Sequence, residues 1–155
     1  MKHQVIEFLS DTDLDSLLEE ANKIRDLHWG KTITYSRKVF VPLTNMCRNT
    51  CSYCTFVKSP DSDEATILTK DQVIDIIKEG QKKGCKEVLF SLGEKPELRY
   101  PIARRALKRL GFNSMVDYLK EVCQLTLQKS NLIPHVNAGT LSLDDIKKLK
   151  PVTAS

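Results

Sequence analysis

The chain has 155 residues, a mass of 17.6 kDa and a formal net charge of +4, and 41% of its residues are hydrophobic. This composition supports one folded domain and excludes a collagen-like, low-complexity or wholly disordered chain. The basic excess is too mild to imply a nucleic-acid partner, and we expect none. The longest apolar runs, such as residues 88–90, are far short of the roughly 20 residues of a membrane-spanning helix, so we expect no membrane partner.

The N-terminus has neither an apolar signal core nor an Arg-rich, acid-poor transit pattern, which favours a cytoplasmic protein. The chain contains five cysteines, an odd number that argues against a disulfide framework. The role of these cysteines is therefore the central question.

The first predicted element is an amphipathic helix over residues 11–28, preceded by a capping pattern of Ser10 and Asp13. Gly30 is expected to end it, and we assign residues 1–30 to an N-terminal helical extension. Residues 32–44 have strand character, and positions 39–43 are apolar on both faces. Pro42 fits poorly in the middle of such a strand.

After a polar loop, Thr69 and Gln72 predict a capped helix that ends at Gly84. A buried strand over residues 87–92 follows, so strand, helix and strand form a βαβ unit. The later predictions are a helix from Pro101 to Leu110, a helix from Asn113 or Ser114 to about Gln128, a strand over 133–138, a helix capped by Ser142 and Asp145, and the start of a fourth strand at 151–155.

Alternating strands and helices predict an α/β fold with parallel strands and outer helices. A complete eight-stranded barrel needs about 250 residues. We therefore predict that residues 31–155 form the first half of a (β/α) barrel that is truncated at its C-terminus.

Cys47, Cys51 and Cys54 stand at Cys-x3-Cys-x2-Cys spacing directly after the first strand. That position is the ligand-binding end of a parallel α/β sheet. No fourth cysteine follows at comparable spacing, as a closed tetrahedral zinc site would need. The triplet suits a 4Fe-4S cluster with one iron left open, and we expect its sulfurs to converge at the carboxyl ends of the strands.

Two alternatives are buried structural thiols and a zinc site completed by Cys85, Cys123 or His135. Cys85 lies at a helix-to-strand junction and Cys123 on an apolar helix face, where cysteine usually behaves as a small hydrophobic residue. His135, inside a strand, is by default a core or pocket histidine.

With Tyr53 just before its last cysteine, the triplet resembles that of the radical S-adenosylmethionine (SAM) superfamily. Residues 33–45, 54–56 and 84–97 are similar to the 7,8-didemethyl-8-hydroxy-5-deazariboflavin synthase family, of the CofG type or FO synthase subunit 1. The resemblance spans about residues 32–155 of this chain, and members of that family are longer. It implies the N-terminal portion of a radical SAM TIM-type partial barrel.

The resemblance implies that Cys47, Cys51 and Cys54 hold a 4Fe-4S cluster whose open iron chelates SAM. Arg48, within the cysteine loop, is interpreted as a counter-charge to that cluster. The protein then places the reactants and excludes water, because the radical chemistry belongs to the cofactor.

The resemblance also implies four SAM contacts. Gly93 and Glu94 stand where the superfamily carries Gly-Gly-Glu, with Leu92 in place of the first glycine. Glu94 would accept hydrogen bonds from the SAM ammonium, Tyr53 would pack beside the adenine, and Asn137 would reach the ribose or the methionine carboxylate. The alternative for both Gly93-Glu94 and Asn137 is an ordinary turn.

The implied function is the formation of FO, the deazaflavin chromophore of coenzyme F-420. A 5′-deoxyadenosyl radical would abstract hydrogen from a small-molecule adduct of a tyrosine-derived fragment and 5-amino-6-ribitylaminouracil, followed by ring closure and ammonia loss. The implied partners are a companion radical SAM subunit of the CofH type, which supplies the adduct, and an external electron donor. Other possibilities are an aminofutalosine- or biotin-synthase-like radical SAM enzyme and a non-catalytic zinc-binding module. We expect the 155-residue chain alone to be inactive in deazaflavin formation, with substrate contacts downstream of Ser155.

Overall fold

The computed structural model describes residues 13–154, and the chain divides into two compact units between Tyr35 and Ser36. The first unit contains one described helix, α1 (Leu14–Trp29). Asp13 caps this helix by accepting a hydrogen bond from the Ser16 N–H at 3.0 Å. The Ser10 part of the predicted capping pattern lies outside the described residues.

The second unit is built on three parallel strands in the order β1, β2, β3. Their carboxyl ends therefore lie along one edge of the sheet, and the α/β fold with parallel strands is confirmed. The strands are β1 (Lys38–Thr44), β2 (Glu87–Leu92) and β3 (Ile133–Asn137), and the helices of this unit are α2 (Lys70–Lys82), α3 (Pro101–Arg109), α4 (Met115–Lys129) and α5 (Leu143–Leu149).

The hydrophobic core lies on one face of this sheet. Val41, Leu43, Val88 and Phe90 point to that face and are fully buried. Residues of α2, α3, α4 and α5 also contribute to the core, whereas Phe40 on the opposite face is half exposed. None of the helices within residues 13–154 is long and apolar enough to cross a membrane.

Local capping signals set the helix starts. Thr69 and Gln72 form a capping box at α2, and Ser142 and Asp145 form another at α5, as the sequence predicted. Ser114 caps α4 through the Asp117 N–H at 3.0 Å. These bonds satisfy backbone donors that a helix terminus leaves unpaired.

The first strand is shorter than predicted, because β1 begins at Lys38 and not near residue 32. Ile33 and Tyr35, which lie in the predicted part, are exposed. Pro42 does lie inside β1, where the register to β2 shifts between Pro42 and Thr44. Within residues 13–154 β2 is the only strand beside β1, whose other edge carries an isolated bridge from Thr44 to Ile67, so the missing proline N–H is tolerated at a sheet edge.

The predicted fourth strand does not begin at residue 151, so this prediction is wrong for residues 151 and 152. A 3-10 turn occupies Lys150–Val152, because Pro151 suits the first turn of a helix. Only the next residues run beside β3, where the Ala154 N–H donates to the Pro134 carbonyl at 2.9 Å.

An ion pair joins the loop after β2 to α5. Lys95 Nζ lies 2.7 Å from Asp145 Oδ2, and the two side chains are only 18% and 16% exposed. Lys95 has a positive φ of 35°, which is unusual for a residue with a side chain. Hydrogen bonds from Lys95 and Ser142 lower the pKa of Asp145 to about 2.

Asp145→Asn should lower the free energy of unfolding by about 1–2 kcal/mol at pH 7, because asparagine keeps the cap but loses the charge pair. The folded pKa lies below the unfolded value of 3.8, so this contribution is present above about pH 4 and is lost as the pH falls through 2. Urea titrations from pH 7 to pH 2 measure the difference. Asp144→Asn is the matched control, since Asp144 is 86% exposed. A constant difference across this range would contradict the assignment.

Candidate functional site

The cysteine loop, residues 45–58, follows β1 at the carboxyl edge of the sheet. Cys47 and Cys54 are half-buried in it and Cys51 is exposed. The Cys54 N–H donates to the Cys51 carbonyl at 3.1 Å, which makes a tight turn between the last two cysteines. The loop therefore lies where the sequence predicted a ligand-binding edge.

The two ends of the cysteine loop are fastened together by Asn45. Its carbonyl accepts the Lys58 N–H at 2.9 Å, and its side-chain amide bonds to the Glu64 carbonyl at 2.7 Å and to the Thr66 N–H at 2.9 Å. Phe56 also packs edge-on against Phe40 of β1, with ring centroids 6.4 Å apart. These contacts close the loop at its base.

Cys47 packs against the end of β2. Its sulfur accepts hydrogen bonds from the Glu94 N–H at 3.2 Å and from the Asn49 N–H at 3.4 Å. The close packing of Cys47 against the end of β2 depends on Gly93. A methyl group on Gly93 would lie 2.6 Å from the Met46 carbonyl carbon and 2.9 Å from Cys47 Cβ. The structure thus brings together Cys47, Gly93 and Glu94 from segments far apart in sequence.

The three cysteine sulfurs do not converge as we expected. Within residues 13–154, no group of three or more His, Cys, Asp and Glu side chains is arranged to hold a metal ion. Thiols have no attraction that would gather them, and metal–sulfur bonds normally supply the energy that orders such a loop. The donor set itself fits an iron–sulfur cluster, because two backbone N–H groups already point at Cys47, as they do at cluster sulfurs.

Glu94 is the most heavily bonded side chain of the site, and it is only 6% exposed. Arg48 donates to its Oε1 through Nε at 2.9 Å and through Nη2, and Asn49 Nδ2 donates to Oε2 at 2.8 Å. The Thr140 N–H donates as well. Burial raises the pKa of Glu94, but the hydrogen bonds from Arg48, Thr140 and Asn49 outweigh it, so the pKa is lowered and the carboxylate is charged at neutral pH.

Gly139, just after β3, makes room for this carboxylate. A methyl group on Gly139 would lie 2.7 Å from Glu94 Oε2, and its φ of +72° favours glycine. Glu94 therefore connects the cysteine loop, the end of β2 and the loop after β3.

The structure places the two remaining predicted SAM contacts apart from this cluster of bonds. Tyr53 projects from the cysteine loop and is 87% exposed. Asn137 is the last residue of β3, is exposed, and pairs in register with Ser91 of β2. Both follow or end a strand on the carboxyl side of the sheet.

The three side chains considered as a fourth zinc ligand lie elsewhere. Cys85 precedes β2, whereas Cys47 packs at its other end, and six strand residues span about 20 Å. Cys123 is fully buried in α4, and burial raises the pKa of its thiol to about 12. His135 Nε2 lies 2.9 Å from Glu87 Oε2. This geometry does not support a closed zinc site made with any of them.

Three partners of Glu94 were not identified as such from the sequence. Arg48 was interpreted as a counter-charge to a cluster, and its guanidinium is instead paired with Glu94. No pattern in the sequence indicates a role for Asn49 or for the Thr140 N–H. A polar residue following Cys47 and a glycine after β3 are visible in the sequence, but neither indicates its partner more than 40 positions away.

The parallel sheet with outer helices and a three-cysteine loop at its carboxyl edge defines a class of radical enzymes. The chain belongs to the radical SAM superfamily, whose family model matches residues 41–153. The resemblance to that superfamily drawn from the cysteine motif is thereby confirmed.

Within this superfamily the chain is similar to proteins of deazaflavin synthesis. It is 44% identical over 152 residues to FO synthase of Nocardia farcinica, covering 92% of this chain and 18% of that protein. It is 40% identical over 139 residues to 7,8-didemethyl-8-hydroxy-5-deazariboflavin synthase of Methanobrevibacter smithii, covering 89% of this chain and 40% of that protein. The chain thus spans less than half the length of these relatives.

Solved structures agree with the fold. Methylornithine synthase (PylB) matches with a TM-score of 0.70 and 17% identity, over 100% of this chain and 42% of that one. The FeFe-hydrogenase maturase HydG from Carboxydothermus hydrogenoformans matches with a TM-score of 0.65 and 26% identity, over 92% and 30%. These likenesses confirm the radical SAM type of α/β fold.

Proposed function

We propose that Cys47, Cys51 and Cys54 bind a 4Fe-4S cluster with one open iron, to which SAM binds. The observation that carries the proposal is Cys47 itself, held by two backbone N–H donors beside the buried Glu94 carboxylate. Membership of the radical SAM superfamily supports the same assignment. In this proposal residues 1–30 are a helical extension and residues 31–155 are the first half of the barrel domain.

When bound, the reduced cluster supplies the electron that cleaves the SAM sulfonium to a 5′-deoxyadenosyl radical. The chain's own residues bind and orient SAM. Gly93 lets Met46 and Cys47 pack closely at the end of β2 and so helps to place the SAM site, and Glu94 accepts a hydrogen bond from the SAM ammonium. Since four donors already surround Glu94, the ammonium takes the place of one of them. Tyr53 covers the adenine, and Asn137 bonds to the ribose or the methionine carboxylate.

The proposed reaction belongs to FO synthesis, on the basis of 44% identity to an FO synthase and 40% identity to a 7,8-didemethyl-8-hydroxy-5-deazariboflavin synthase. Hydrogen abstraction from the adduct of a tyrosine-derived fragment and 5-amino-6-ribitylaminouracil leads to ring closure with loss of ammonia. The adduct comes from a companion radical SAM activity, and the electron comes from an external donor. The substrate contacts belong to the part of the relatives that this chain does not cover.

Anaerobic reconstitution of the chain with iron and sulfide tests the cofactor. We expect equal amounts of bound iron and sulfide and a visible charge-transfer band that dithionite bleaches. Added SAM should then be cleaved to 5′-deoxyadenosine. Stoichiometric zinc with no visible band would overturn the proposal and favour a zinc-binding module.

The substrate is tested separately by the same cleavage reaction. The protein assayed must include the part of the relatives that this chain does not cover, since the substrate contacts are proposed to lie there. Adding the adduct to such a protein should increase 5′-deoxyadenosine formation. Cleavage that does not respond to the adduct, but responds to the substrate of another radical SAM enzyme, would retain the cofactor assignment and reject FO synthesis.

A further inference from the structure

We infer that Arg48 and Asn49 are positioning residues. Their hydrogen bonds to Glu94 hold the cysteine loop in place and so fix the position where a cluster assembles. The inference rests on the proposed function and adds a role for Glu94 that does not involve SAM.

Arg48 is held at three points. Its N–H donates to the Glu94 carbonyl at 3.0 Å, its carbonyl accepts from Arg99 Nη1 at 2.7 Å, and its guanidinium bonds to the Glu94 carboxylate. Main chain and side chain are thus both fixed to elements outside the loop. A residue adjacent to a cluster ligand has little freedom left in this arrangement.

The carboxylate of Glu94 suits this role because it is a buried charge with every acceptor position in use. A carboxylate has about four lone-pair sites, and the site provides four donors, three of them from Arg48 and Asn49. Loss of the Arg48 and Asn49 donors would leave the buried Glu94 charge without most of its hydrogen-bond partners, which costs free energy. The bonded conformation of the cysteine loop is therefore favoured. The Cys47 sulfur accepts a hydrogen bond from the N–H of the same Glu94. A shift of Glu94 would therefore also shift Cys47, the first of the proposed cluster ligands.

Lys95 provides a matched control for this argument. Its pair with Asp145 is also an ion pair of low exposure next to Glu94, but it joins the loop after β2 to α5 and not to the cysteine loop. Loss of either pair should weaken the fold, whereas only loss of the Arg48 pair should affect the loop. Comparing the two variants therefore separates positioning from general stability.

The experiment uses the full chain, reconstituted anaerobically with iron and sulfide, and follows decay of the visible band after a chelator is added. Arg48→Met and Glu94→Gln should lose iron about tenfold faster than the wild type, since each removes charge-assisted hydrogen bonds. Arg48→Lys keeps the charge and should recover part of the retention. Lys95→Met should release iron at the wild-type rate even if its urea midpoint falls as far as that of Arg48→Met.

Asn49→Ala is a second variant in case Arg48→Met does not fold, and it should accelerate iron loss by a smaller factor. The double variant Arg48→Met/Glu94→Gln should lose iron no faster than the faster of the two single variants, because both changes remove the same interaction. Wild-type release rates in Arg48→Met, Asn49→Ala and Glu94→Gln would overturn the inference. A wild type that binds no iron would instead overturn the proposed function on which it rests.

Discussion

Replacing Cys47, Cys51 or Cys54 with alanine should leave a folded chain whose iron content, after reconstitution, falls to background. In the proposed site each cysteine supplies one of three ligands, and no other cysteine lies in the cysteine loop to replace it. The fold should survive because Cys51 is exposed and the other two are half-buried, so the free energy of unfolding should change by less than about 1 kcal/mol. Iron analysis, the visible spectrum and urea unfolding of the metal-free chain measure these effects.

Cys85 and Cys123 are the controls for this prediction. Cys123→Ala removes a buried sulfur and should cost stability without lowering iron content, because the thiol lies in the core with a raised pKa. Cys85→Ala should also retain iron. If Cys85→Ala lost as much iron as Cys51→Ala, the ligand set would have to be redrawn.

Gly93→Ala should lower the free energy of unfolding by about 3 kcal/mol and reduce the bound iron as well. The added methyl group would overlap the carbonyl of Met46, whose carbon lies 2.6 Å away, and would crowd Cys47 Cβ at 2.9 Å. Both neighbours belong to the start of the cysteine loop, so relief of the clash moves Cys47 away from the Glu94 N–H. Thermal unfolding and iron analysis of the same preparation measure the two effects.

Gly111→Ala separates steric overlap from backbone strain. Gly111 has a φ of +89° and open space around it, so alanine there should cost only about 1 kcal/mol and leave the iron content unchanged. Equal losses of stability in the two variants, or normal iron binding by Gly93→Ala, would mean that the loop accommodates the methyl group without moving.

The elements that the sequence predicted well are those whose signals are local. The capping box of Thr69 and Gln72 operates within four residues, and so does the box of Ser142 and Asp145. Such bonds form in the same way whatever surrounds the helix. Position 32 was a poor strand start because strand residues need a neighbour, and pairing of β1 with β2 begins only at Lys38.

The candidate site also contains both local features, which the sequence indicates, and contacts between distant residues, which it does not. The spacing of Cys47, Cys51 and Cys54 is a local pattern, and it indicated the loop and its edge of the sheet. The pairing of Arg48 with Glu94 joins positions 46 apart and depends on the register of two strands, so no short motif contains it. Gly139 is visible in the sequence as a glycine after the third strand, but its contact with Glu94 depends on the placement of three chain segments at once.

The closure of the cysteine loop at Asn45 has a consequence for how metal could enter the protein. Because the base of the loop is held by backbone and side-chain amide bonds, we expect residues between Asn45 and Lys58 to open as a small cooperative unit while the strands stay paired, once the bonds of Arg48 and Asn49 to Glu94 are broken. Incorporation then disturbs about a dozen residues and leaves the hydrophobic core closed. We therefore expect the finished fold, and not only the nascent chain, to take up the proposed metal cluster.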